Sequence, residues 1–265
     1  MTKCRGKLLI ALNAVYKKYN RRVFVNPDPL QFVYDYKTPA NKEIAAIIAS
    51  SLAYGNVKQI LKAVDKVLSK LGKNPKKFIL NASDGELRKL FKNFKYRFTK
   101  PMEISNMLIA IRKVVLKYGS LNKCFLNYFS AKDKTILKAY AGFVKEMIAA
   151  GGKMPSLLPC PNKGSAFKRF NLYLRWMVRK DDVDCGCWKK IPKSKLIVPL
   201  DTHMHKIAKR LHLTKRKSAD LKTALEITKN FAKICPTDPV KFDFSLTRFG
   251  IRQELNLQQL ENCFN

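Results

Sequence analysis

Two stretches of the chain carry side chains that could do chemistry. The first, "KGSAFKRFNLYLRWMV" (163–178), sets Gly164, Ser165 and Ala166 ahead of a helical pattern with Lys168 in its first turn and Arg169 beside it. Small residues let a backbone approach a ligand closely, and a helix N-terminus offers unpaired N–H groups to an anion. Lys163, Gly164, Ser165 and Arg169 therefore read as a phosphate seat, with a plain loop-to-helix turn as the simpler alternative. A lysine at that end opposes the helix dipole. Cationic surroundings and partial burial also disfavour an ammonium group relative to the free, nucleophilic amine. A lysine that only touched phosphate would carry the same signature.

The second stretch, "LIVPLDTHMHKIAKRL" (196–211), places Asp201 between an apolar, strand-like run and an amphipathic helix. A carboxylate there can cap the helix, or it can be kept for proton transfer. His203 and His205 invite a metal reading, yet residues two apart on a helix diverge by about 200° and cannot share one ion. Neither a metal nor a cofactor is expected. His203, with Lys206 on the same helix, reads as facing a phosphate, and His205 as packing or capping.

Positioning these groups falls to a strongly basic, helical chain. Lys and Arg number 53 against 19 Asp and Glu, a formal net charge of +34 spread along the whole length. Each phosphate neutralised by a cation releases condensed counterions, so a polyanion is the expected partner. No unbroken apolar run of about 18 residues and no signal-like N-terminus is visible, which points to a soluble intracellular protein without a membrane partner. The seven cysteines are scattered, and only Cys185 and Cys187 lie close together. That is neither a disulfide framework nor a zinc pattern, and free thiols in a reducing compartment are expected.

Apolar spacing reads as one helix after another. "VKQILKAVDKVLSKL" (57–71) repeats apolar residues at steps of three and four, and Gly72 is a stop signal. Before it, "EIAAIIASSLAY" (43–54) is apolar on most faces and reads as a buried central helix, set apart by Gly55. Further helices are predicted over 5–19, 103–118, 121–129, 133–150, 167–179, 203–212, 217–233 and 243–250, with Gly, Pro or Asn in the breaks. Alternating strands are absent, so the fold class is all-α. The Gly- and Pro-rich stretch 151–165 reads as a lobe boundary or a hairpin. Trp176 reads as core, and Trp188 as touching either nucleic acid or protein.

"GSAFKRFN" followed by "VPLDTHMHKIAKRL" resembles the helix-hairpin-helix DNA glycosylase superfamily. Its members carry a hairpin ending in a Gly-x-Gly-x-Lys type sequence and then a Val-x-Val-Asp-x-His type sequence. The second match is especially similar to the 8-oxoguanine DNA glycosylases. Upstream, "IASSLAYGNVKQILKAVDKVLSKLG" resembles the segment of these enzymes that runs from a buried helix through a DNA-probing loop. Together the resemblance covers residues 43–72 and 157–250. The hairpin "LPCPNKGSAFK" is longer than the usual one and lacks its first glycine, and Lys168 and Asp201 lie 33 positions apart through the insertion "VRKDDVDCGCWKKIPKSK". Both departures resemble the archaeal-type 8-oxoguanine glycosylases, and they make Lys163 a rival of Lys168. Over its full length the chain also resembles a bacterial family related to this superfamily.

The resemblance implies a two-lobed helical bundle: a six-helix-like lobe over about 40–150, a hairpin and catalytic Asp segment over about 151–213, and a second lobe from 1–39 with 214–265. It implies a monomer that acts on double-stranded DNA containing an oxidised base, in the cytoplasm and associated with the nucleoid. A base stacked in a duplex must be extruded before its glycosidic bond can be attacked, and Tyr54 and Asn56 fall where family members fill the gap. Lys168 falls at the Schiff-base lysine, attacking C1′ as the base leaves. The imine that results acidifies the 2′ proton and allows elimination of the 3′ phosphate. Asp201 falls at the essential aspartate that accepts the lysine proton and stabilises the positive sugar. In "DPVKFDFSLTRFGI" (238–251), Phe244 and Phe249 would stack the extruded purine while Asp243 accepts from its N–H groups. A helix cap with core aromatics is the simpler reading of that stretch. Oxidised pyrimidines are the alternative substrate, and a protein that holds damaged DNA without cutting it is the alternative class.

Overall fold

The computed structural model describes residues 2–159, 164–252 and 255. Among these, the regular structure is helical, with twelve α-helices and no strand. In chain order they are α1 (Thr2–Tyr19), α2 (Pro39–Ser51), α3 (Val57–Leu71), α4 (Pro75–Asn81), α5 (Asp84–Leu90), α6 (Pro101–Tyr118), α7 (Leu121–Asn127), α8 (Leu137–Gly151), α9 (Lys168–Val178), α10 (Thr202–Arg210), α11 (Leu221–Ala232) and α12 (Asp243–Ile251). The chain is all-α, as its periodicity predicts. None of the described helices is long and apolar enough to cross a membrane.

Where observed and expected bounds differ, capping chemistry decides. Helix α2 begins four residues before the apolar pattern does, because Thr38 accepts from the Asn41 N–H and Pro39 pre-sets the first turn. Helix α8 begins at 137 rather than 133, since Ser130 binds the N–H groups of Lys132 and Asp133 in a turn instead. Helices α4 and α5 were not predicted. Each has seven residues, too few to show a periodic stripe. Their starts are nevertheless written in the sequence, as Asn74–Pro75 and as a Ser83/Glu86 capping box.

The chain forms two compact units, Pro27–Lys163 and Met1–Asn26 with Gly164–Asn265. In the first, α2 is the central element, and Ile44 to Ala49 are all 1% exposed or less. Its Glu43, itself buried, accepts from the N–H groups of Leu121 and Asn122 at 2.9 and 2.7 Å, so this carboxylate caps α7 from inside the core. Helix α8 packs along α6. At the C-terminal end of α8 the approach is close: a Cβ placed on Gly151 would stand 2.1 Å from the carbonyl oxygen of Asn106.

In the second unit α12 packs against both α1 and α10. The run Leu196–Leu200, strand-like in sequence, is buried but pairs with no strand among the described residues. Its Val198 N–H donates instead to Thr228 Oγ1 at 3.0 Å. Beneath α9 lies a buried ionic network. Arg175 reaches Asp184 and Asp243, and Arg179 reaches Asp181, Asp184 and Asp238. Trp188 is 1% exposed and meets Tyr173 edge to face, so of its two expected partners it takes protein.

The α6–α8 approach gives a direct test. Gly151→Ala forces a methyl group into a backbone carbonyl, which cannot rotate away, and is expected to lower stability by about 1–3 kcal/mol. Urea denaturation should show a lower midpoint at unchanged slope.

Candidate functional site

The site is built from the start of α9 and the start of α10, both in the unit formed by Met1–Asn26 with Gly164–Asn265. The approach to α9 is fixed residue by residue. The Gly164 carbonyl accepts from Leu221 N–H at 3.1 Å, tying the segment to the start of α11. Ser165 Oγ accepts from the Phe167 N–H at 3.2 Å, and the buried Asn171 side chain donates to the Ala166 carbonyl at 3.1 Å. Phe167 caps α9 in the left-handed region, φ 48° and ψ 33°. A bulky residue there costs about 1–3 kcal/mol and persists only where neighbours over-determine it. The next residue along is Lys168.

Asp201 is the N-cap of α10, and its two carboxylate oxygens have separate duties. Oδ1 accepts from the Met204 N–H at 2.9 Å. Oδ2 lies 3.5 Å from Lys168 Nζ. The cap thus aims the second oxygen at the amine. The lysine side chain is 31% exposed and the aspartate 19%, so a substrate can reach the pair while water is partly excluded.

Both histidines are positioned by neighbours. His205 Nε2 bonds the Arg216 carbonyl at 2.9 Å, which is the capping or packing role expected of it. His203 lies half-buried against α12, where the absence of a side chain at Gly250 admits its ring: a Cβ there would stand 2.4 Å from Nδ1. Lys206 is exposed on the same helix, Gly164 and Ser165 are exposed ahead of α9, and Arg169 is half-buried in its first turn. Lys163 lies outside the described residues. No three His, Cys, Asp or Glu side chains gather as a metal site among those described.

Asp243, Phe244 and Phe249 occupy the interior of the same unit. Asp243 is the first residue of α12 rather than its cap, and its Oδ2 is bound by Arg175. Burial raises its pKa to about 6; Arg175 opposes the rise, and the charges of Asp201 and Asp184 add to it. Asp184 is likewise pushed up by burial, whereas Asp181, also partly desolvated, is held below its ordinary value by Arg179. Phe244 is 1% exposed, with the Arg248 guanidinium 4.1 Å above its ring, and Phe249 is 2% exposed with Tyr19 edge-on at 4.9 Å. In this structure both rings are core side chains.

Tyr54 and Asn56 belong to the unit Pro27–Lys163. Asn56 is exposed and caps α3 through the Lys58 N–H. The Tyr54 hydroxyl is engaged inside the protein by the Tyr96 carbonyl at 3.0 Å and by Thr99 Oγ1 at 2.7 Å.

What sequence reading missed is the Arg175–Arg179 network and the strained Phe167. The network had a signal: arginines four apart on a helix, followed at once by "KDDVD", place cations and acids within reach of each other. Nothing in the sequence announces a left-handed phenylalanine.

Residues 28–252 match the model of a family described as a protein of unknown function (DUF2400). No curated protein and no solved structure matches the chain.

Two expected outcomes follow from this packing. Asp243 has its pKa raised on folding, so the stability it contributes is full below its unfolded value near 4 and is lost as pH rises through about 6. Relative to Asp243→Asn, the wild type should therefore lose about 2 kcal/mol between pH 4 and 6, measurable by denaturant titration at each pH. Gly250→Ala should cost about 1–3 kcal/mol by expelling the His203 ring, and adding His203→Ala should recover most of that loss in a double-mutant cycle.

Proposed function

We propose that this chain, which belongs to the DUF2400 family, is a bifunctional DNA glycosylase and AP lyase of the helix-hairpin-helix type. It excises an oxidised base, 8-oxoguanine in the first instance, from double-stranded DNA and then cuts the strand. The observation that carries the reading is the Lys168–Asp201 pair, with Nζ 3.5 Å from Oδ2 and the other carboxylate oxygen engaged as a helix cap. Binding alone has no need of a carboxylate at a phosphate-facing surface. The net charge of +34 supports a nucleic-acid partner, and the resemblance of "VPLDTHMH" to the 8-oxoguanine enzymes supports the lesion.

The chemistry assigns each group a step. Lys168 Nζ forms a bond to C1′ as the C1′–N bond breaks and the electron pair leaves with the base. Asp201 Oδ2, next to Nζ, takes the proton the amine sheds and faces the positive charge that grows on the sugar. The C1′–O4′ bond then opens, giving an imine between Nζ and C1′. Loss of the C2′ proton expels the 3′ phosphate, and water releases the sugar fragment from the lysine. Gly164, Ser165 and Arg169 would hold backbone phosphates ahead of α9, and His203 and Lys206 those beside α10. We place the protein, as a monomer, on cytoplasmic DNA.

Borohydride reduces the imine to a stable amine, which makes the intermediate countable. Duplexes with one oxidised base each should yield a covalent adduct with the wild type, and Lys168→Gln should abolish it. An undiminished adduct in that variant would move the nucleophile to Lys163. Asp201→Asn should retain DNA binding and slow base release by about 10²–10⁴-fold. A wild type that binds every duplex and traps on none would favour a non-catalytic damaged-DNA-binding protein.

A further inference from the structure

In the unit Pro27–Lys163 the most exposed phenylalanine among the described residues, well beyond Phe78 at 37%, is one that its core does not use. Phe98 is 73% exposed, on the loop between α5 and α6. It stands on an ordered base. The Tyr54 ring lies parallel beneath it, 6.4 Å between centroids and 11° between planes, and the Arg97 guanidinium sits 5.6 Å from the Phe98 centroid and 6.0 Å from that of Tyr54. The base itself is pinned. The Tyr54 hydroxyl bonds the Tyr96 carbonyl and Thr99 Oγ1, the Thr99 N–H donates to that same hydroxyl at 3.2 Å, and the Tyr96 hydroxyl donates to the Tyr54 carbonyl.

The two loops have backbones fitted to each other. Arg97 is left-handed, φ 47°. Gly55 has φ 97°, and a Cβ there would meet Arg97 Nη1 at 2.7 Å, so only glycine both adopts the turn and leaves room for the guanidinium. Met102 follows in the next helix, 63% exposed. Lys92, Lys95 and Lys100 rim the adjoining cleft of about 580 Å³. An apolar tip ringed by cations is unsuited to an apolar protein partner and suited to a nucleic acid, whose phosphates the lysines meet while a ring slides between bases.

Resting on the DNA reading above, we infer that Phe98, braced from below by Tyr54 and Arg97, is the side chain that enters the base stack at the vacated position. Tyr54 is then a positioning residue rather than the filler. Its hydroxyl has internal partners on three sides, and withdrawing it into DNA would break all of them, whereas Phe98 can enter a stack without losing any hydrogen bond.

The full-length protein is titrated by anisotropy against a duplex holding one tetrahydrofuran abasic analogue and against the same duplex intact, at fixed salt. Wild type should prefer the gapped duplex. Phe98→Ala should lose about ten-fold or more of that preference, weakening on the gapped duplex far more than on the intact one, with the thermal midpoint unchanged because the ring is exposed. Phe98→Trp should keep the preference, and its new exposed indole should be quenched by the gapped duplex far more than by the intact one. Full preference in Phe98→Ala with an unquenched Phe98→Trp overturns the wedge and leaves the damage reading standing. Equal binding of both duplexes by the wild type overturns the damage reading, and the wedge with it.

Discussion

Two arginines buried beneath α9 constrain everything the candidate site depends on. Arg175 and Arg179 are each about 2–3% exposed, and a guanidinium cannot shed its charge, so carboxylates must be brought to it. Asp181 and Asp184 come from the loop that follows α9, Asp238 from the turn before α12, and Asp243 from α12 itself. The network therefore joins the lysine-bearing helix to the helix against which α10 packs. Removing one partner of such a network strands a buried charge and costs about 3–5 kcal/mol. That penalty leaves α9 and α12 a single relative placement. The long insertion between Lys168 and Asp201, which reads as a departure from the glycosylase pattern, supplies two of the four acids.

Given that placement, the geometry at the pair is local. Phe167 is held in the left-handed region by its N–H, which donates to Ser165 Oγ, and by its carbonyl, which accepts from the Asn171 N–H, and Lys168 leaves the helix start in the direction that backbone sets. From the other side, the cap bond of Asp201 removes its rotational freedom: once Oδ1 is bound to the Met204 N–H, the position of Oδ2 is determined. Two short segments with independent anchors thus converge on a distance of 3.5 Å. Capping and chemistry are compatible uses of one carboxylate because it has two oxygens.

The sequence made much of this legible, and the failures have physical causes. Helix α3 is bounded as its stripe and Gly72 predict, since a long amphipathic pattern with a stop signal leaves little to tertiary context. Asp201 as a cap was readable from its position before an apolar-periodic run. Helices α4 and α5 escaped because seven residues carry no period, and only their caps speak. Phe98 escaped because an exposed phenylalanine and a buried one are the same letter. What separates them is the Tyr54 ring beneath, and Tyr54 is distant in the chain from Phe98 and from the Tyr96 and Thr99 groups that pin its hydroxyl. The Arg–Asp network was overlooked since charged residues are read as solvated by default, and burial by mutual pairing is visible only in three dimensions.

The same pairing explains how so basic a surface is maintained. The chain has few acids, and the structure places most of them where they neutralise something internal. Glu43 and Glu103 bind backbone N–H groups at the starts of helices, Asp28, Asp201 and Asp220 cap others, and Glu86 closes a capping box. Four more surround the two buried arginines. An acid used in this way stabilises the fold locally, through a helix terminus or a guanidinium at close range, while its charge still counts in the net +34 that sets the field outside. The same net charge is a liability to a compact state and an attractive field for a polyanion, and the few acids present offset the liability by holding helix starts and buried arginines.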